Sequence, residues 1–432
     1  DKPLKKHYII VAETDGSGER IVATRDLPEF FELWGPAPAW SPDGEHLTVD
    51  AGSSGDDKSH LIEISLQTGA ERELKTQIAW RYIERLAWAN ENELIVNAEE
   101  KAGDKQQLWS VRFPAGEATR ITNDLNDYNG FNLTKDASKI VAEQTIQDFH
   151  LWLFDNETKT ARQITFGENH SDGTIGLAFA PDNRIVFTAQ DKNEYDIFSA
   201  DMNGGDIRQL TKHAGRENLH AVVSPDNRFI AFGSDPTDKR GKRRLWLMNT
   251  DGTQPRQLTP TTNDEKIGED EPYFSPDGKW IYYTRVGGER NRIWKISVDG
   301  GEPIEALHSD RDFSLPAVSP DGKSLAHTVF DDKSASPWSI GVSSLENGTE
   351  KIFNFPAYRG LTRWTPDSNS LVSINRESEV NDLWQTNIAT GERKQITNFN
   401  AERIERFDIS RDGRFFVVSR GNEFYDAVLI ER

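Results

Sequence analysis

The residues that could support catalysis are scattered along the chain and match no known catalytic motif. The 432 residues include no cysteine, which excludes a thiolate nucleophile, a disulfide framework and a cysteine-type zinc site. A Gly-x-Ser-x-Gly nucleophile elbow is also missing, since the nearest strings, at 52–55 and 341–344, have the wrong spacing. The sequence therefore predicts that the protein is not an enzyme.

Metal-binding patterns are weak as well. None of the nine histidines belongs to a His-Glu-x-x-His or other paired spacing. Two acidic segments, 124–127 and 269–271, offer the hard oxygen ligands that Ca²⁺ prefers, but neither has the Asp-x-Asp-x-Asp-Gly spacing of a preformed loop. We therefore expect no cofactor, with Ca²⁺ as the candidate if a metal is bound.

Charge and hydropathy exclude two further classes of protein. Lysine and arginine number 51 against 71 aspartates and glutamates, which gives a formal net charge of −20. A nucleic-acid footprint needs a basic face, so no nucleic-acid partner is expected. No stretch approaches the roughly 18 apolar residues of a membrane span, and no apolar segment follows the polar start of the chain. We predict neither a signal peptide nor membrane insertion for this segment.

A repeated four-residue motif organises the whole chain. Its best copies read Ser-Pro-Asp-Gly, at 41–44, 275–278 and 319–322, and weaker copies bring the number to nine. The units begin near positions 41, 89, 134, 180, 224, 275, 319, 365 and 410, with spacings of 44 to 51 residues. Proline presets φ, aspartate bonds its own backbone and glycine accepts positive φ, so the tetrad is predicted to be a turn. The repeated aspartate is therefore interpreted as structural.

Each unit contains four short apolar segments around its turn. One precedes the tetrad and one follows it, as in 272–274 and 280–283. A third usually carries an aromatic, such as Trp246 or Trp294, and a fourth ends in Leu-Thr or Ile-Thr. This pattern predicts an all-β fold, a β-propeller of four-stranded antiparallel blades with aromatics packed between blades.

The nine units predict a single β-propeller over residues 1–432, with eight or nine blades in one ring. Segment 7–24 has the pattern of a third and a fourth strand, and 406–430 supplies two or three strands. Together they are expected to form a composite closing blade, which would remove an exposed sheet edge. A ring of six or seven blades with a partial second ring is the alternative.

Along the whole chain, the repeat resembles the TolB-type, WD40-like propeller repeats. Its motifs follow one another in the order Ser-Pro-Asp-Gly, Ile-Trp, Asp-Gly-Gly, Gln-Leu-Thr. Three stretches, 15–20, 120–128 and 425–430, are similar to the C-terminal propellers of bacterial membrane-anchored serine/threonine kinases and winged-helix regulators. Neither a kinase Gly-rich loop nor a winged-helix segment occurs in the sequence. The resemblance implies a periplasmic or cell-envelope location and a sensory or docking role within a larger bacterial signalling protein.

Loops that lead into the innermost strands are expected to meet at one mouth of the central channel. This mouth mixes charges of both signs with an aromatic, which suits a protein, peptide or small polar ligand. By register with the repeat, the ligand-binding candidates are Arg85, Tyr128, Asn129, Asp172, Glu217, Asn218, Asp270, Glu271, Arg359 and Glu405. We expect a non-enzymatic binding protein whose oligomeric state is open.

Two features leave alternatives open. The aromatic segment 30–34 forms either a docking patch or a cap on the channel or on the end of the repeat array. His170, His213, His220 and His308 lie in or near connections into inner strands. Propeller polysaccharide lyases place histidines around such a groove, although single histidines in polar loops are usually just solvated. A polysaccharide lyase or hydrolase is the alternative function, and converging His, Tyr and Arg side chains would favour it.

Overall fold

Every regular element in the described part of the chain is a β-strand. The computed structural model describes residues 6–26, 28–32, 38–53, 58–101, 104–124, 126–167, 170–191, 194–212, 217–234, 243–260, 267–334, 337–354, 360–376 and 380–432. The chain divides into unit 1, which comprises Asp1–Ile146 and Glu423–Arg432, and unit 2, which comprises Gln147–Asn422.

Unit 1 is built from the first strands of the chain. They are β1 (Lys6–Val11), β2 (Arg20–Asp26), β3 (Glu29–Phe31), β4 (Ala39–Trp40), β5 (His46–Ser53), β6 (His60–Ser65), β7 (Glu71–Glu73), β8 (Tyr82–Asn90), β9 (Glu93–Glu99), β10 (Gln107–Arg112), β11 (Glu117–Arg120), β12 (Asp127–Leu133) and the first part of β13 (Lys139–Asp155). β1 pairs with β2, β5 pairs with β3, β4 and β6, and β6 pairs with β7. β8 to β11 form a four-stranded sheet, and β12 pairs with β13. The pairing in these sheets is antiparallel.

Unit 2 holds the remaining strands. They are β14 (Thr160–Gln163), β15 (Leu177–Phe179), β16 (Ile185–Asp191), β17 (Glu194–Ala200), β18 (Arg208–Gln209), β19 (Asn218–Val223), β20 (Phe229–Ser234), β21 (Arg244–Asn249), β22 (Arg256–Gln257), β23 (Gly268–Phe274), β24 (Trp280–Val286), β25 (Arg292–Ser297), β26 (Ile304–Glu305), β27 (Asp312–Val318), β28 (Ser324–Phe330), β29 (Trp338–Ser344), β30 (Glu350–Phe353), β31 (Thr362–Trp364), β32 (Ser370–Asn375), β33 (Asp382–Asn387), β34 (Arg393–Gln395), β35 (Arg403–Ile409) and β36 (Phe415–Glu431). β15 to β34 form five four-stranded sheets, each with its strands in chain order.

The sixth sheet of unit 2 joins strands from opposite ends of its sequence, in the order β35, β36, β13, β14. The amide of Asn156 donates to the carbonyl of Arg414 at 2.8 Å beside this pairing. β13 and β36 have 17 residues each, and their other parts belong to unit 1, where the amide of Arg432 donates to the carbonyl of Ser138. The predicted closing blade from 7–24 and 406–430 differs from this arrangement, because β1 and β2 pair with each other and β36 pairs with β13.

The tetrads form the turns that the sequence predicts. In the copy at 275–278, the Ser275 hydroxyl donates to Asp277 Oδ1 at 2.6 Å, and the same oxygen accepts the amide of Lys279 at 3.1 Å. Gly278 has a φ of 68°, which glycine adopts without strain. The interpretation of the repeated aspartate as a turn-closing residue is therefore confirmed in this copy.

The Leu-Thr and Ile-Thr endings of the fourth strands tie each of these strands to the third strand of its sheet. The amide of Leu245 donates to the hydroxyl of Thr259 at 3.1 Å. Equivalent bonds join Leu108 to Thr122, Leu151 to Thr165, Ile197 to Thr211 and Leu383 to Thr397. A side-chain hydroxyl thus satisfies a buried amide that the short fourth strand leaves without a carbonyl partner.

The core lies between sheets. Leu245 and Leu247 of β21, for example, pack in one cluster with Tyr283 of β24 and Ile296 of β25. The all-β prediction is confirmed, and the many antiparallel four-stranded sheets are consistent with a propeller. A single ring of eight or nine blades over residues 1–432 is not confirmed.

Candidate functional site

The first strands of the six sheets in unit 2 contact one another in series. The contacts run from β35 to β15, and from there to β19, β23, β27 and β31. Arg363 in β31 donates from Nε to Oδ1 of Asp408 in β35 at 2.8 Å, so the last member of the series also reaches the first. The six strands therefore surround a shared space.

A cavity of about 680 Å³ occupies one end of this space, and we call it the wide cavity. It is formed by the ends of the six first strands and by the tetrads that follow them. Its lining is mostly aromatic, aliphatic and proline side chains. The residues are Ala178, Phe179, Ala180, Pro181, Val222, Val223, Pro225, Tyr273, Phe274, Pro276, Val318, Pro320, Arg363, Trp364, Pro366, Asp408, Ile409, Ser410, Arg411 and Asp412.

A buried ion pair forms one wall of the wide cavity. Asp408 accepts Arg363 Nε on one oxygen, and its other oxygen accepts the amide of Phe179 at 2.7 Å. The Arg363 guanidinium also lies 5.3 Å from the centre of the Tyr273 ring. Because both charges are hydrogen-bonded, this pair presents a fixed polar surface rather than a free charge.

A second, narrow cavity of about 20 Å³ lies between the same first strands, nearer their starts. Space of this size holds about one water molecule. Its lining residues are Gly176, Leu177, His220, Ala221, Val222, Glu271, Pro272, Tyr273, Leu315, Pro316, Leu361, Arg363 and Arg406. A histidine, a tyrosine and two arginines thus converge on one small space.

Strained backbone positions help to place these side chains. His220, Glu271 and Leu315 have φ values of 55°, 56° and 53°, which non-glycine residues rarely adopt. Each lies in a β-bulge, where the pairing register of its strand shifts. A bulge re-aims the side chain of the extra residue, and strain of this kind is concentrated at functional sites.

Asp270 organises the charges beside the narrow cavity. It pairs with His220 Nδ1 and with Arg243 Nη1, each at 2.5 Å. Burial alone would raise the pKa of Asp270, but the charges of His220 and Arg243 hold it well below its usual range. A Cβ on Gly233 would lie 2.7 Å from Oδ1 of Asp270, so this position has no room for a side chain.

Arg406 enters the narrow cavity from β35. Its Nε donates to the carbonyl of Thr174 at 2.9 Å. Burial lowers the pKa of Arg406 to about 10, and the charge of Glu271 opposes this shift. Glu271 Oε2 in turn accepts the hydroxyl of Thr284 at 2.7 Å and the amide of Leu315 at 3.0 Å. Arg406 and Glu271 are therefore engaged by backbone and hydroxyl partners.

The structure separates the sequence-predicted site residues into groups. Arg85, Tyr128 and Asn129 belong to unit 1, and Arg359 lies outside the described residues, as does His213. Tyr128 is buried, and burial together with its hydrogen bond to Asp124 raises its pKa to about 12. In the aromatic segment 30–34, Phe31 lies in the core of unit 1, and positions 33 and 34 are outside the described residues.

The other six candidates lie in unit 2, and Glu271 is the one among them that lines either cavity. The remaining five are held by neighbouring side chains. Their partners are His170 for Asp172 (3.3 Å), Asp196 for Asn218 (3.1 Å), Arg243 for both Glu217 (3.3 Å) and Asp270 (2.5 Å), and Arg403 for Glu405 (3.1 Å). The site predicted from register thus consists mainly of paired groups.

Sequence reasoning missed the lining of the wide cavity. Tyr273, Arg363 and Asp408 lie in first strands, and the strand pattern does not show that they face the shared space. The tetrad pattern explains the prolines as turn residues, yet five of them line the cavity. A visible signal was the sixth tetrad of unit 2, which has Arg411 where the other five have proline.

Comparison with known proteins supports a TolB-type propeller for part of the chain. Residues 169–312 match the TolB beta propeller domain family. An uncharacterised protein of Agrobacterium fabrum is 29% identical over 148 residues, which are 32% of this chain and 47% of that protein. The uncharacterised peptidase YuxL of Bacillus subtilis is 27% identical over 216 residues, 47% of this chain and 30% of the peptidase. The chain thus covers less than half of either relative.

Among solved structures, TolB from Acinetobacter baumannii is similar to this chain, with a TM-score of 0.46 and 13% sequence identity. The match covers 79% of this chain and 82% of that one.

Two properties of the described residues bear on membranes and metals. No helix in the described ranges is long and apolar enough to span a membrane. The described His, Asp and Glu side chains include no group of three or more arranged to hold a metal ion. The absence of a cofactor stays a prediction, with Ca²⁺ at the segments 124–127 and 269–271 as its alternative.

Proposed function

We propose that unit 2 is a six-bladed propeller of the TolB type, and that its wide cavity binds a peptide or another small ligand without transforming it. The observation that carries this proposal is the wide cavity itself, about 680 Å³ in volume and lined by all six sheets. Binding pockets for small molecules typically measure about 300–1,000 Å³ and combine apolar walls with a few fixed polar groups. The aromatic and proline lining with the Arg363–Asp408 pair fits that description.

A propeller enzyme is the second candidate, because His220, Tyr273, Arg363 and Arg406 converge. Such a set resembles what acid–base cleavage of a sugar chain would need. However, the space between these side chains is about 20 Å³, which admits a water molecule and not a sugar ring. The His220 ring is also engaged with Asp270 at 2.5 Å. These facts favour binding over catalysis.

A glycan-cleavage screen separates the two candidates. The purified chain would be incubated with acidic and neutral polysaccharides, and products would be followed by reducing-end assay and by ultraviolet absorbance of unsaturated sugars. We expect no products. Cleavage that disappears in His220→Gln and persists in the exposed control His308→Gln would favour the enzyme and contradict a purely binding role.

We further propose that the chain is the sensory or interaction part of a larger bacterial signalling protein located outside the cytoplasm. Support comes from the TolB-type repeat that residues 169–312 match. The encoding gene provides the test, together with pull-down from the native cell envelope. A gene with a kinase or winged-helix domain and one membrane span would support the proposal, and one with an added hydrolase domain would contradict it.

Filling the wide cavity is expected to abolish ligand binding. Val223 lines the cavity at the end of β19, and Val223→Trp would place an indole in the space that the ligand needs. For peptides selected from a phage-displayed random library on the unmodified chain, we expect Kd to rise by at least about 10-fold, the equivalent of ~1.4 kcal/mol. Isothermal titration calorimetry measures the change.

The matched control is Val141→Trp, the same substitution at a valine that is 45% exposed in unit 1. Because Val223 also packs against core residues, Pro320→Trp at the exposed rim of the cavity provides a second blocking variant. Equal affinity in the unmodified chain and both blocking variants would contradict the wide cavity as the binding site.

A further inference from the structure

The proline position of the tetrads forms a ring around the wide cavity. In unit 2 this position is occupied by Pro181, Pro225, Pro276, Pro320, Pro366 and, in the sixth tetrad, Arg411. All six line the cavity. The ring therefore presents five apolar side chains and one cation to whatever enters.

The turn itself does not require the arginine. As in the other copies, Ser410 donates to Asp412 Oδ1 at 2.6 Å, and the same oxygen accepts the amide of Arg414 at 3.0 Å. A proline at this position would fit the turn, as it does in the other five. The arginine is thus a departure that local folding does not explain.

The side chain of Arg411 lies along the rim of the cavity. Its Nη2 donates to the carbonyl of Pro225 at 2.9 Å. Pro225 belongs to the tetrad after β19, whereas Arg411 follows β35, and β15 lies between these two strands in the series of contacts. The guanidinium is therefore held at the cavity by a bond to backbone, with donor groups left over for a ligand.

Arg411 also differs from the other charges of the cavity. Arg363 is neutralised by Asp408, and the carboxylate of Asp412 is held by its turn and by the nearby charge of Arg414. Within the described ranges, Arg411 has no carboxylate within ion-pair distance. It is the cation at the cavity that is available to an acidic ligand.

We propose that Arg411 makes the wide cavity selective for peptides that carry a carboxylate beside apolar side chains. This inference rests on the proposed binding function. A guanidinium next to apolar walls forms strong, directional hydrogen bonds with a carboxylate, whereas the aromatic and proline surfaces take the apolar neighbours. The carboxylate belongs either to an Asp or Glu side chain or to the end of the peptide.

Parallel selection from a phage-displayed random heptapeptide library tests the proposal. The baits are the unmodified chain, Arg411→Gln, the blocking variant Pro320→Trp and the control Arg228→Gln. Arg228 is an exposed arginine that follows the tetrad 224–227 and does not itself line the cavity. We expect Asp or Glu beside apolar residues in peptides from the unmodified chain and from Arg228→Gln. The acidic residues should return to the frequency of the library with Arg411→Gln.

Synthetic forms of the best peptide complete the test by calorimetry on the full chain. Replacing its acidic residue with the amide, or its terminal carboxylate with a carboxamide, shows which carboxylate is bound. We expect one of these changes to weaken binding to the unmodified chain about 10-fold, because one charge-assisted hydrogen bond is lost. The same change should leave binding to Arg411→Gln unaltered.

The outcomes separate this inference from the proposed function. Peptides without acidic enrichment, or equal enrichment on Arg411→Gln, would overturn the role of Arg411 and leave the binding cavity in place. Peptides that Pro320→Trp selects equally well would instead contradict the wide cavity as the site, and the selectivity proposal with it.

Discussion

Replacing Asp270 with asparagine is expected to lower the free energy of unfolding of unit 2 by about 3–5 kcal/mol, because the change removes the buried carboxylate that His220 and Arg243 share. His220 and Arg243 each lie 2.5 Å from Asp270, which is 8% exposed. Pulse proteolysis in urea, with fragments identified by mass spectrometry, would give the unfolding midpoint of each unit separately.

The matched control is Asp277→Asn in the exposed turn after the same strand. The pKa of Asp277 is lowered mainly by its hydrogen bond to Ser275, so its loss weakens a surface turn and should cost about 1 kcal/mol or less. A similar small loss for Asp270→Asn would contradict the structural role assigned to the His220–Asp270–Arg243 cluster.

The depressed pKa of Asp270 also sets the direction of its pH dependence. A carboxyl whose pKa is lower in the folded than in the unfolded state stabilises the fold above the unfolded value of 3.8. That contribution decreases as the pH falls through the folded pKa. The difference between the unmodified chain and Asp270→Asn should therefore be complete at neutral pH and shrink in acid.

Asp50 in unit 1 is expected to give the free energy of unfolding the opposite pH dependence. Burial raises its pKa from 3.8 to about 7, only partly offset by the hydrogen bond that the Ser59 hydroxyl donates at 2.9 Å. The folded state therefore binds a proton that the unfolded state releases, and stability is lost as the pH rises from about 4 to about 8. The shift corresponds to a loss of about 4 kcal/mol for unit 1 at alkaline pH.

Urea midpoints of unit 1 measured at pH 4, 6 and 8 test this expectation. Asp50→Asn removes the titrating group, so this variant should lack the decline whatever its stability at pH 4. Asp15→Asn is the control, since Asp15 lies in an exposed turn and its pKa is lowered by a hydrogen bond to Ser17. Parallel pH profiles for Asp50→Asn and the unmodified chain would contradict the raised pKa.

The repeated features of the fold could be predicted because their causes are local. A turn such as 275–278 depends on bonds between residues two to five positions apart, and the Thr259 hydroxyl reaches an amide only 14 residues away. The period in the sequence therefore revealed the strands and turns. It could not reveal where the series of sheets closes, since the pairing of β13 with β36 joins segments far apart in sequence.

The site was harder to predict for a related reason. Register placed Glu217 and Asp270 at the starts of first strands, but the side chain that neutralises both, Arg243, comes from the start of another strand. Likewise, a turn proline such as Pro276 has a sufficient local explanation, so nothing in the sequence showed that its outer surface lines a cavity. The sequence does show arginine in place of proline at position 411. Its role at the cavity follows only from the ring of tetrad residues that the structure reveals.

The sheet shared by β13 and β36 has a consequence for the order in which the two units can complete their folding during synthesis. The last sheet of unit 1 needs residues 423–432, which leave the ribosome only after all of unit 2 has been synthesised. Until then Ile140 and Phe131 lack the cover of Val428 and Ile430, which pack against them in the finished molecule. All strands of unit 2 are synthesised before the last residues of unit 1. During translation, unit 2 can therefore complete its folding before unit 1, although unit 1 begins the chain.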